Sequence, residues 1–129
     1  KDVVLWKQKV SKKVNRVGVT VGAGFILSID IQAKDVLTDE MYTNISFDAF
    51  MKVMRSDADR ANPTVIFREP KIYLVSCQIV STSSTFYHFE RIFSVGKYRY
   101  TVTGHNGMVY SLDDCYQQIK AANSIKIME

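Results

Sequence analysis

From Val3 to Val21 apolar and polar side chains alternate in short stretches. Val4, Trp6, Gln8 and Val10 fall on one side, Leu5, Lys7 and Lys9 on the other, and Val17, Val19 and Val21 resume the period of two. That period belongs to a strand, whose successive side chains point to opposite faces. "SKKVNR" supplies a turn between two such strands. "GFILSIDIQ" reads as the next one, with Phe25, Leu27, Ile29 and Ile31 on a single face.

The period then changes. In "NISFDAFMKVMRSDADRAN", Phe47, Phe50, Met51, Met54 and Ala58 recur at three and four, which makes one apolar stripe along a helix. Ser46 is the expected N-cap, Asp48 sits in the first turn where the helix dipole favours a carboxylate, and Asn62-Pro63 ends the segment. Beyond it, "TVIF", "KIYLVSCQIVS", "TFYHFERIFSV" and "KYRYTVTG" return to alternation, with "TSS" and Gly96-Lys97 as turns. Tyr73, Val75, Cys77 and Ile79 share one apolar face. Tyr87, Phe89, Phe93 and Val95 share another, interrupted by Arg91, while His88 goes with Phe86 and Glu90 on the side expected to be more exposed. "GHNG" makes a further turn. Ser111 with Asp114 three residues on then forms a capping box for a last helix, along which Leu112, Cys115, Ile119 and Ala122 share a face to about Asn123.

These elements predict an α+β fold: a single domain over residues 1–129, in which a twisted antiparallel sheet, a meander in its second half, is flanked by α-helices. The length suits one core. An apolar share of 47% with 23% charged residues is ordinary for a globular chain and far from disorder. The net charge of +4 is too modest for a nucleic-acid-binding composition. Its densest cluster is Lys7, Lys9, Lys12, Lys13 and Arg16, which reads either as a patch for an acidic partner or anionic lipid surface, or as lysines that keep a strand edge from aggregating.

No apolar run approaches the roughly 20 residues of a membrane-spanning helix. "GFILSIDI" is broken by Ser28 and Asp30. The chain starts at Lys1, as a chain does after removal of a signal peptide or after trimming. Membrane association is expected only through a removed or lipidated N-terminus.

The chemistry-bearing motifs thin out when examined. Gly22 and Gly24 in "GVTVGAGF" follow a strand, but a phosphate cradle needs a third glycine where Leu27 stands and a helix rather than a strand after it. The glycines suit a turn or bulge. Asp57 and Asp59 occupy the first and third positions of a calcium loop whose sixth and twelfth positions, Asn62 and Arg68, exclude an EF-hand. With His88 and His105 as the only histidines and no CxxC or HExxH spacing, no metal or cofactor is expected. Asn44-Ile45-Ser46 matches a glycosylation sequon, though Ser46 already has a use as a cap.

Cys77 and Cys115 leave three readings open. A nucleophile needs an accessible sulfur, a lowered pKa and a base, and Cys115 near a helix N-terminus with His105 upstream is the candidate pair. If the last helix packs on the Cys77 face of the sheet, the two sulfurs approach across one core as a disulfide, worth roughly 3–4 kcal/mol for a loop of about 40 residues. Failing both, they are packed free thiols. The even count and matching faces favour a bridge and with it an oxidising compartment.

The order of elements, with "SFDAFMKVM" as first helix, then "KIYLVSCQIVS" and "TFYHFERIFSVGKYRYTVTG", then a helix ending in "ANSIKIM", resembles the PsbP and DcrB superfamily of small α/β/α domains from about Phe25 onward. The likeness includes the glycine, aromatic and threonine-rich segment Gly96 to Gly104 and the Ser124-Ile125 tail. Trp6 lacks the proline that often precedes it in that family. The resemblance implies no catalytic residues and non-enzymatic work, since lumenal assembly factors, envelope lipoproteins, an import factor and toxin-neutralising proteins are similar domains with different partners.

The expected function is therefore binding of another protein in a bacterial periplasm or as a secreted domain, with no nucleic acid involved. The basic N-terminal stretch and the polar strand face carrying His88, Glu90 and Arg99 are the candidate surfaces. An immunity protein that neutralises a secreted toxin is the more specific version. A cysteine-dependent enzyme using Cys115 and His105 is the rival from another class.

Overall fold

The computed structural model describes residues 3–9, 14–21, 26–104 and 110–127, with side chains from Leu27 onward within those ranges. Two meanders are joined edge to edge into one antiparallel sheet. The first consists of β1 (Val3–Lys9), β2 (Val14–Val21) and β3 (Ile26–Ala33); the second of β4 (Arg60–Glu69), β5 (Ile72–Ile79), β6 (Ser84–Val95) and β7 (Tyr98–Gly104). The seven strands run in the order β1-β2-β3-β7-β6-β5-β4. The seam is the β3–β7 ladder, Leu27 opposite Gly104 through Ala33 opposite Tyr98.

Helix α1 (Asp39–Ser56) connects the two meanders and packs on β4, β5 and β6. Helix α2 (Leu112–Asn123) follows β7 and packs on β6, β7 and β3. Strand parity puts the helices on opposite faces. Tyr73 and Val75 meet Phe47 and Met51 of α1, and Cys77, Ile79 and Phe86 meet Met54. The intervening Leu74 lies with Leu27, Ile29, Phe89, Tyr100 and Val102 under Cys115, Ile119 and Ala122 of α2. Ile125 and Ile127 extend that second core. Burying each of these aliphatic side chains contributes about 1.5–3 kcal/mol.

The sequence expectation for the β elements holds from β3 through β7, and α2 is capped as expected, with Ser111 Oγ accepting from the Asp114 N–H at 3.3 Å. Two differences concern α1. The helix starts two turns earlier than Ser46: Thr38 is its N-cap, its hydroxyl accepting from the Met41 N–H at 3.1 Å, and Asp39 and Glu40 complement the dipole in the first turn. It also stops at Ser56 rather than at Asn62-Pro63. Asp57 caps it, and the Asp59 N–H bonds the Asp57 carboxylate at 2.9 Å, turning the chain into β4. Asn62 takes φ 53° there, and Pro63 falls at a register shift of β4, an edge strand where a missing N–H is tolerated. The turn expected at "GHNG" and the Gly22 and Gly24 turn lie outside the described residues.

Candidate functional site

The three strand residues expected on an exposed face lie beneath α1. His88 is 7% exposed, its ring stacked on Phe50 with centroids 4.0 Å apart. Glu90 is half-buried and accepts hydrogen bonds from the hydroxyls of Ser46 on α1 and Tyr73 on β5. Since Tyr73 gives its hydrogen to Glu90, its oxygen is left to accept from His88 Nε2 at 3.2 Å, which fits the Nε2–H tautomer. Burial beside the Glu90 carboxylate pushes the Tyr73 phenol well above its ordinary value, so it is a fixed donor rather than an acid. Ser46, expected as a cap, instead fastens the middle of α1 to β6.

Arg99 is corrected most strongly, being 0% exposed. Its Nη1 donates to Asp35 Oδ1 at 3.0 Å, Nη2 to the Leu37 carbonyl at 2.6 Å, and Nε to Asp39 Oδ1 at 3.4 Å. The guanidinium lies over Tyr42, 4.5 Å from the ring centroid. Ser94 Oγ adds a further bond to Asp39 Oδ1. The Arg99 hydrogen bond, joined by the Leu37 N–H, holds the Asp35 carboxyl below the usual range. A buried cation is tolerated only when its donors are spent in this way, so Arg99 fixes where the β3–α1 connection enters the helix. His88 and Arg99 are thus fastenings of α1 and not a contact surface.

The cysteines separate as well. Both are free and buried. Cys77 lies in the core under α1 and Cys115 in the core under α2, because α2 packs on the Leu74 face of β5 rather than on the Cys77 face. The bridge depended on the other arrangement and is corrected. Cys115 is 0% exposed, and burial pushes its thiol up to about 12, the opposite of what a nucleophile needs. His105, Lys12 and Lys13 lie outside the described residues, as do the side chains of Lys7, Lys9 and Arg16. Asp57 and Asp59 serve the chain reversal. Asp59 accepts from the hydroxyl and N–H of Ser81, at 2.8 and 2.7 Å, which hold it below the ordinary carboxylate range. Among the described residues no cluster of His, Cys, Asp or Glu could hold a metal ion, and no helix is long and apolar enough to cross a membrane.

The far side of α1 faces outward. With its inner stripe of Thr43, Phe47, Met51 and Met54 buried, the helix still carries Met41, Ile45 and Val53 at 49, 54 and 56% exposure. Ala49, also exposed, completes the spacing of four. Successive members are offset by about 40° around the helix, so they form one slanting ridge rather than scattered side chains. The sequence pattern carried this signal, since Met41, Ile45, Ala49 and Val53 repeat at i+4. It was masked by the expectation that the helix begins at Ser46, which leaves Met41 and Ile45 outside it.

Comparison with protein-family models, curated proteins and solved structures finds no match to this chain.

Proposed function

We propose that this chain is a non-enzymatic, protein-binding domain of the bacterial envelope, similar in fold to the PsbP and DcrB superfamily, and that it binds through the outward face of α1. The observation that carries the reading is the Met41, Ile45, Ala49, Val53 ridge. It is apolar, exposed, and displayed on a helix clamped at its start by Arg99 and at its middle by Glu90. A rigid helix presenting i, i+4 anchors is a recurrent docking element, and holding it in place beforehand lowers the ordering cost of association. The order of elements, with one helix on each face of an antiparallel sheet, supports the superfamily likeness. The cysteine-enzyme alternative is disfavoured by the burial of Cys115.

The test is affinity capture from the envelope fraction of the source bacterium with wild-type protein, Ile45→Asp and, as a control on α2, Lys120→Asp. The reading expects a partner retained by wild type and by Lys120→Asp and lost by Ile45→Asp. Equal recovery on all three sinks the α1 assignment, and a partner found only in the cytoplasmic fraction sinks the compartment.

A further inference from the structure

We infer that the end of the sheet formed by the β3–α1 connection and the β6–β7 turn rests on an anionic membrane surface, with Val36 and Tyr98 entering the headgroup layer and Lys34 and Lys97 meeting lipid phosphates. This surface is separate from the α1 ridge, so its failure leaves the reading of α1 untouched. Val36 is 98% exposed, the most exposed of the large apolar side chains among the described residues. Its outward position is built, because the residues on either side of it are tied down. Asp35 and the Leu37 carbonyl both take hydrogen bonds from the buried Arg99, and Asp35 also accepts from the Leu37 N–H at 3.0 Å. Just before them, the Lys34 N–H donates to the Lys97 carbonyl at 2.8 Å, which joins the connection to the two-residue turn Gly96-Lys97. Tyr98, opposite Ala33 at this end of the β3–β7 ladder, is 50% exposed. A costly buried arginine thus fixes a loop that displays a valine, and that valine buries nothing unless something outside the domain covers it.

The charges at this end select the occupant. Its carboxylates are already engaged: Asp35 and Asp39 with Arg99, and Glu40 with Lys71 at 3.8 Å. Lys34 and Lys97 are exposed and take part in none of the ion pairs among the described residues. The opposite end of the sheet gives the contrast. There Val80 is 56% exposed as well, but its N–H bonds the Asp59 carbonyl at 2.9 Å and the Asp59 carboxylate holds the next residue, Ser81. An anionic surface favours the lysine end over the aspartate end. An aliphatic side chain and a phenol rimmed by lysines, whose stems reach up to phosphates, is the composition of an interfacial contact. A protein partner would have to supply both a pocket for Val36 and acceptors for two lysines, whereas an anionic leaflet offers apolar depth and phosphates everywhere. Each lysine strengthens such a hold about fivefold. The contact is therefore weak and reversible, and its effect is to orient the domain on the membrane.

Vesicle flotation of the full chain at millimolar lipid tests this, on phosphatidylcholine alone and on an equal mixture with phosphatidylglycerol. The variants are Val36→Asp and Lys34→Glu/Lys97→Glu, with Val80→Asp and Lys52→Glu/Arg55→Glu as controls that change the net charge equally at other exposed positions. The expected result is flotation of wild type with the mixture only. Its partition coefficient should fall about tenfold or more in Val36→Asp and in the Lys34→Glu/Lys97→Glu pair, and less than about threefold in either control. Circular dichroism checks that each variant is folded. A nitrobenzoxadiazole dye on Val36→Cys should shift to the blue on the mixed vesicles, and the same dye on Val80→Cys should not. Wild type that floats with neither vesicle, or equally with both, overturns the inference. So do controls as damaging as the variants at Lys34, Val36 and Lys97, and a bound protein whose dye at position 36 stays in water.

Discussion

Replacing Arg99 by Met tests whether the β3–α1 connection is held as described. Methionine keeps most of the stem volume while removing the charge and all the donors, so the change isolates the guanidinium. Arg99 is fully buried and bonded to Asp39, Asp35 and the Leu37 carbonyl. Its loss leaves the Asp39 carboxylate, whose side chain is 12% exposed, with Ser94 and a long contact to Lys71 at 3.9 Å. Breaking a buried pair from one side costs about 3–5 kcal/mol, against a total stability of about 5–15 kcal/mol for a domain. At this chain length that lowers the melting temperature by roughly 10–20 °C. Urea unfolding gives the free energy, and amide exchange locates it, with the first turns of α1 losing protection before α2. The two carboxylates should differ. Asp39→Asn follows Arg99→Met closely, whereas Asp35, with a half-exposed side chain, loses a solvent-screened contact and should stay within the scatter of surface substitutions. An Arg99→Met variant within about 1 kcal/mol of wild type, or Asp35→Asn as damaging as Asp39→Asn, contradicts a buried Arg99–Asp39 clamp on the start of α1.

Tyr73→Phe removes one of the two hydroxyl donors on Glu90 and the acceptor for His88, and should cost about 1–3 kcal/mol in urea unfolding with an unchanged slope. Native Cys115 should react with iodoacetamide only as fast as the protein opens, and intact mass should be the same with and without reductant; rapid labelling of the folded protein contradicts the buried, protonated thiol. Asp35 and Asp59 have folded-state values below their unfolded ones, so the stability they contribute is present above about pH 4 and is lost as pH falls through the folded values. The urea midpoint should therefore drop as pH falls below 4, with a shallower drop in Asp59→Asn. Thr38→Ala, by removing the true N-cap, should cost about 1 kcal/mol, and Ser46→Ala should act through Glu90 without fraying the helix start.

The strands were legible because their signal is local. Tyr73, Val75, Cys77 and Ile79 alternate with Leu74, Ser76 and Gln78, and parity alone places each set on one side of the sheet. Parity does not say which side a helix covers, and that is why the Cys77 and Cys115 bridge was expected and is absent. The same gap hid His88, Glu90 and Arg99, polar side chains on strand faces that look solvent-bound until α1 is laid over them. Their partners stand far off in sequence: Asp39 is 60 residues from Arg99, and Ser46 is 44 from Glu90. The early start of α1 could have been read from Thr38 followed by Asp39 and Glu40, an N-cap with an acidic first turn. The apolar stripe from Phe47 drew the boundary eight residues late because Thr43, the earlier member of the buried face, is polar and bonds back to the Asp39 carbonyl at 2.7 Å.

The binding face proposed for this protein is the outer side of α1 and not the α2 side. Site-specific photo-crosslinking in cells of the source organism tests it directly, with a benzophenone side chain at Ile45, at Val53 and, as controls on α2, at Tyr116 and Lys120. Crosslinked species at positions 45 and 53, with bare monomer at 116 and 120, is the predicted result. Crosslinks confined to α2, or spread evenly over all four positions, contradict it.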